Sequence, residues 1–424
     1  MGLSLGGYNR FVFAANSYNI MWPSSHKILG ILFSAGGILP ANWDSVLSKI
    51  KVVINSHSKR NLSLRGRAII FNTVVFKKMW YLGRATPMPK SFQIALFKLI
   101  FSFVWGGKME SLRRDNLYLP PVKGGIGLDH FCLKIQAMHI MHLIDFLRFS
   151  NKSWACFVKF YLGLELRTYK PGIFNNLEPH SFTKSAFYMV CWDSFKCFIR
   201  SHPDIDLFQL TTAKIYSLLL DDLSIVPNVV AKYSNLNFQH IFCRMNNSLL
   251  CPATRTLAFK MVHGILPLNS RVHKWNKFYF TTPMCPFCKS EEETFTHLFI
   301  HCPVSVPLWV FFNEILFNLC NHRLKPDLNC IQFGELPNSI SRSLKPFIHL
   351  LIIMLCHAIW VKRCDVYFQH RVVSSIDIQH FCIYRLKIRA LADNLRLSDK
   401  KFRSLWCFNN VICTKAGNNV EFLL

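Results

Sequence analysis

One short segment constrains this chain more than any other: Cys285-Pro-Phe-Cys288 followed by His297 and Cys302, a C-x2-C-x8-H-x4-C arrangement. A C-x2-C turn points two thiolates at one place, and a later His and Cys complete a tetrahedral shell for zinc. Four protein ligands leave no open coordination position, so the ion expected here is structural rather than catalytic. Ser290 and Glu293 have the spacing of a capping box, which predicts a short helix just after the second Cys. His297 and His301 would then share one face of it, and either could reach the metal. His297 is preferred, because the x4 gap lets the chain bend around the ion before Cys302. The competing reading is a set of buried free thiols beside two ordinary histidines, since cysteine is frequent here, with 16 in all. The combined spacing favours Zn2+.

The length of 424 residues suits two or three domains, or one large one with subdomains. A hydrophobic share of 51%, with 38 Phe, supplies a large core and excludes wholesale disorder. Lys and Arg number 50 against 23 Asp and Glu, a formal charge of +27, and such an excess draws polyanions, nucleic acid foremost. The N-terminus lacks the uninterrupted apolar core of a secretory signal. Its cysteines therefore read as thiols and metal ligands rather than disulfides, and an intracellular protein is expected. The apolar stretch at 347–360 is shorter than a membrane span and contains two histidines, which predicts a buried helix.

The periodicity predicts a mainly α-helical fold. Residues 27–33 should be extended, and Asn42 should cap a helix over 43–54. A longer helix toward Gly83 follows, with Leu64, Ala68, Phe71, Val75, Met79 and Leu82 on its apolar face. Further helices are expected at 92–105, 254–263, 303–320 and 385–396, with a Pro/Asn-rich linker at 325–338 and a frayed last dozen residues. Loops are expected near 169–172, at His202-Pro203 and at Pro227. Asn269 or Ser270 should cap a short helix carrying Arg271, Lys274, Trp275 and Lys277, followed by Phe278-Tyr279-Phe280. Cations alternating with rings suit phosphates and bases, or else the rings pack inward around the metal. Arg67 and Lys78 lie eleven positions apart, three helical turns, so they read either as a row along a phosphate backbone or as solvated decoration. Two motifs fail on inspection. The Gly124, Gly125, Gly127 cluster has His130 where a dinucleotide loop needs a third glycine, and Asp221-Asp222 lacks the neighbouring carboxylate of a polymerase metal site.

In this order the signals resemble the C-terminal part of LINE-type (non-LTR) retrotransposon reverse transcriptases. Lys27 to Gly30 with Trp43 resembles the segment leaving the palm, and 62–68 through Trp80-Tyr81-Leu82 resembles the thumb. Phe103 to Gly107 with Gly124 to Leu128 resembles the region beyond it. Leu257 to Pro267, the Cys285/Cys288/His297/Cys302 set and Trp309 are similar to the reverse transcriptase zinc-binding domain. The resemblance implies a palm remnant or leader over 1–26, a thumb-like helical domain over 27–128 and a helical connector over 129–250. It further implies a zinc-binding domain over 251–320 and a helical C-terminal extension over 321–424.

In that family the thumb grips the template–primer duplex, and the zinc-bearing domain helps to hold RNA template and target DNA. Arg60, Arg65, Arg67, Lys77 and Lys78 would then contact duplex phosphates, with Arg271, Lys274, Trp275 and Lys277 on a strand near the zinc. The palm and the endonuclease have no counterpart, so the expectation is RNA or DNA binding without catalysis, in the nucleus. The alternatives are a fragment active only with a separately supplied palm, and an inert or interaction-only relic.

Overall fold

The computed structural model describes residues 25–34, 37–38, 40–169, 185–278, 282–417 and 419–424, and these are mainly α-helical. The N-terminal segment up to residue 24, the loop expected at 170–172, and Tyr279 and Phe280 lie outside the described residues. The described chain divides into two units, one from the residues up to Arg60, Arg65–Glu110 and Gly127–Ile225, the other from Asn61–Leu64, Ser111–Ile126 and Val226–Leu424.

The first unit opens with a small antiparallel sheet of β1 (His26–Ile28), β2 (Ile31–Ser34) and β3 (Gly37–Ile38), in the order β1-β2-β3. Leu29 and Gly30 both have positive φ, 48° and 85°, which turns the extended run back on itself so that Ile28 faces Ile31. Helix α1 (Ala41–Ser58) follows, and Asn42 does not cap it. The Asn42 amide is buried and clasps both backbone groups of Leu32 at 2.8 Å, pinning the sheet to the helix. The long helix is α2 (Leu64–Ile70), a π-helical turn at Phe71–Val75, and α3 (Lys77–Ala85). Its expected apolar face is buried throughout, from Leu64 to Leu82. The wider π turn inserts a residue into the repeat and buries Phe76 as well.

Helix α4 (Lys90–Trp105) ends at Gly106 in the left-handed conformation, φ 63°. Helices α5 (Phe131–Arg148), α6 (Ala155–Tyr169), α7 (Ala186–Ser201) and α8 (Thr212–Asp221) surround a core of Ile140, Ile144, Val158, Leu162, Phe195 and Phe198, among others. Asp221 is the last residue of α8, and the Asp222 carboxylate lies 3.3 Å from the His202 ring.

The second unit is built around a 25-residue helix. Its helices of six residues or more are α9 (Phe238–Met245), α10 (Pro252–Val262), α11 (Asn269–Trp275), α12 (Val306–Cys320), α13 (Leu328–Phe333), α14 (Lys345–Gln369), α15 (Ser375–Arg396) and α16 (Asp399–Trp406). Helix α14 is longer than the apolar stretch suggested, and by length and composition it passes the test for a membrane-crossing segment. Yet 72% of its apolar window is buried, the mark of a core helix. It packs against α10 and α15. The expected linker contains α13, whose first turn is capped by Asp327 accepting from the Cys330 N–H at 2.7 Å. The last residues are not frayed: β4 (Cys413–Ala416) and β5 (Asn419–Phe422) form an antiparallel hairpin with Cys413 buried. The glycine cluster serves close packing, since a Cβ on Gly125 would fall 1.9 Å from the Leu119 carbonyl oxygen.

Candidate metal centre

The metal segment follows α11 in the chain, and its ligands are placed by backbone hydrogen bonds. The Cys285 N–H donates to the Glu291 carbonyl at 2.8 Å and the Lys289 N–H to the Cys285 carbonyl at 2.9 Å, closing a tight turn. Lys289 takes the left-handed conformation, φ 59°, and Met284 bridges Glu292 across the turn's base. No helix starts at Ser290, and Glu293 is not a capping residue. The helical turn begins at residue 295 and becomes a π turn over His297–His301. The Cys302 N–H donates to the His297 carbonyl at 2.7 Å, and this wide turn buries His297 while leaving His301 exposed. Two further bonds hold it: the Trp309 indole N–H donates to the Phe299 carbonyl at 2.6 Å, and the Ser305 hydroxyl to that of Leu298 at 2.7 Å.

These turns gather one ligand atom each from Cys285, Cys288, His297 and Cys302 within 4.8 Å of one another. The Cys285 and Cys302 sulfurs are 3.9 Å apart, and Cys288 Sγ is 3.3 Å from His297 Nε2. A tetrahedron with Zn–S of about 2.3 Å and Zn–N of about 2.0 Å has S–S edges near ~3.8 Å and S–N edges near ~3.5 Å. The Cys285–Cys302 and Cys288–His297 edges match that shell, and with all four donors within 4.8 Å the cluster can hold a metal ion. His297 Nδ1 lies 2.8 Å from the Glu291 carboxylate, which orients the ring with Nε2 toward the thiols.

The electrostatics suit a cation. Burial acts against the Cys288 thiolate, but the Ser290 hydroxyl and the backbone N–H groups of Ser290 and Glu291 outweigh it and hold the thiol below its ordinary value. The Cys285–Cys302 contact, at 3.9 Å, holds the Cys302 thiol below its ordinary value. That same contact, followed by burial, pushes the Cys285 thiol up.

A network absent from the sequence reading fixes this turn within the second unit. Arg363 of α14 is buried and forks onto Glu293, Nε to Oε1 and Nη2 to Oε2, both at 2.6 Å. The same Nη2 donates to Asn269 Oδ1 at 2.6 Å, and the Asn269 amide donates to the Met284 carbonyl at 2.8 Å, next to the first ligand. Asn269 is therefore not a cap but a strut. The available signal was an arginine three residues past the apolar stretch at 347–360, on the same helix, which needs an anion wherever it is buried.

The basic residues fall into three groups. Arg60, Lys77 and Lys78 are exposed on the first unit, and Lys274 and Lys277 are exposed on the second. Arg65 is half-buried. Arg67 and Arg271 instead serve the fold. Arg67 donates to the carbonyls of Phe103 and Val104 at 2.7 and 3.2 Å, closing the end of α4, so it forms no row with Lys78. Arg271 donates to the Gly264 carbonyl and lies 4.8 Å over the ring of the half-exposed Trp275.

No curated protein matches the chain. Residues 231–309, which span α9 to α11, the four-ligand cluster and the start of α12 as far as Trp309, match the family described as zinc-binding in reverse transcriptase.

Proposed function

We propose that the chain is a nucleic-acid-binding fragment related to a LINE-type reverse transcriptase, held together by a structural Zn2+ and without catalysis of its own. The reading rests on one observation: a complete four-ligand shell lies inside the residues that match a reverse transcriptase zinc-binding domain. Three thiols and an imidazole form a soft donor set that suits zinc, and all four positions are taken by protein, which fits a folding rather than a chemical role. The formal charge of +27 supplies the attraction for RNA or DNA.

Among the residues considered for contacts, the exposed cations Arg60, Lys77, Lys78, Lys274 and Lys277 are the ones available to phosphates. The first group would belong to a thumb-like grip. Sixteen cysteines with none in a disulfide suit a reducing compartment, and the nucleus is the one proposed. The test is a salt titration of the full chain with labelled RNA and DNA. Log affinity should fall linearly with log salt, by about 0.9 per duplex phosphate contacted. A flat response, or no saturable complex, overturns the reading.

A further inference from the structure

We propose that the cleft beside the metal turn is a subsite for single-stranded nucleic acid, an assignment that rests on the reading above and gives it an address. The cleft has a volume of about 760 Å³ and is formed between the Cys285–Cys288 turn and the elbow joining α14 to α15. Its walls include Phe287 and Lys289 on one side and Tyr367, His370, Arg371 and Val372 on the other. This volume lies in the range of about 300–1,000 Å³ that encloses compact organic ligands. That volume has room for a base with its sugar and not for a paired duplex.

The lining chemistry selects a strand over other occupants. Among the described residues no Asp or Glu lines the cleft, while Lys289 and Arg371 are both exposed on it. Four of the nearby acids are engaged elsewhere, Glu291 with His297, Glu293 with Arg363, Asp365 with Lys362 and Asp377 with Ser374, while Glu292, across the bridge from Met284, is exposed and does not line the cleft. Three metal-bound thiolates around a divalent ion carry one net negative charge, and Lys289, directly after the second ligand, offsets it. One face of the Tyr367 ring is taken by the Arg363 guanidinium at 4.7 Å, and the half-buried Phe287 on the opposite wall is the ring to which the stacking role is assigned. His370 takes the left-handed conformation, φ 53°, turning the chain so that Arg371 and the fully exposed Val372 stand at the rim. Cations for phosphates and a ring for a base are the pairing by which single strands are held without sequence preference.

The experiment measures anisotropy of a labelled homopyrimidine strand and of a blunt duplex with the zinc-loaded full chain. Removing two cations by Lys289→Gln with Arg371→Gln should weaken strand binding and flatten its log–log salt slope by about 1.4, at about 0.7 per contact. Duplex affinity should stay within about two-fold, because its contacts lie elsewhere. Phe287→Ala should cost about 5- to 150-fold on the strand, with Phe287→Tyr retaining it. Zinc content identifies any variant that fails to fold, and the exposed Lys289/Arg371 pair carries the test if Phe287→Ala does. A wild-type chain that binds duplex but not strand overturns the cleft and leaves the general reading standing. A double variant that matches wild type on the strand, or loses strand and duplex alike, does the same. A wild-type chain that binds neither overturns both.

Discussion

At the scale of single residues, the most consequential side chains are a pair that never meets the ion. Arg363 and Glu293 are both buried, and each is tolerable only because the other neutralises it. Removing one partner strands a charge. Arg363→Met should therefore cost about 3–5 kcal/mol in chemical denaturation, and adding Glu293→Leu should recover much of that loss. A single variant within about 0.5 kcal/mol of wild type would show that the pair is incidental to the second unit. The contrast with the ligands explains what the sequence could reveal. Cys285, Cys288, His297 and Cys302 are legible because a turn and one helical step bring them together locally. Glu293 and Arg363 meet only through tertiary packing, so local spacing paired Glu293 with Ser290 instead.

At the scale of elements, periodicity was legible and turn chemistry was not. The buried face from Leu64 to Leu82 follows from the recurrence of apolar positions at threes and fours. The π turns at Phe71–Val75 and His297–His301 do not, because a residue inserted into a helix leaves no compositional mark. The same limit hid the hairpin over Cys413–Phe422, where neither strand is long enough for alternation to stand out. Glycines can be ranked once the turns are seen. Gly125→Ala would push a Cβ against the Leu119 and Asn116 carbonyl oxygens, which belong to backbone and cannot move aside. Gly107 has open space around it and only a positive φ of 72° to oppose a side chain. Gly107→Ala should cost about 1–2 kcal/mol, the penalty of left-handed backbone for an L-residue. Gly125→Ala should cost clearly more, and equal melting temperatures for the two variants would contradict the close approach.

At the scale of the whole molecule, two dependences should separate, one shared by both units and one confined to the second. Both units bury histidines. Burial, with help from Arg84 and His139, pushes His142 down to about 4 in the first, while burial alone or with nearby arginines pushes His263, His349 and His357 to about 4 in the second. The imidazoles must stay neutral in the fold and are free to take protons once unfolded, so the unfolded chain binds more protons below about pH 6.5. Stability is then full above that value and is lost as pH falls toward about 4, in both units. Metal dependence is different, because all four ligands belong to the second unit. A structural ion binds the folded state alone and its binding free energy is folding free energy. Thermal scans at pH 7 should show one transition that drops sharply on chelation and one that stays. At pH 5 both should fall. The Cys285→Ser, Cys288→Ser double variant should reproduce the chelated scan and carry no zinc by elemental analysis. Zinc retained in that variant, or a chelator that moves neither transition, would mean that the four donors are a thiol cluster and that the second unit stands on its apolar core alone.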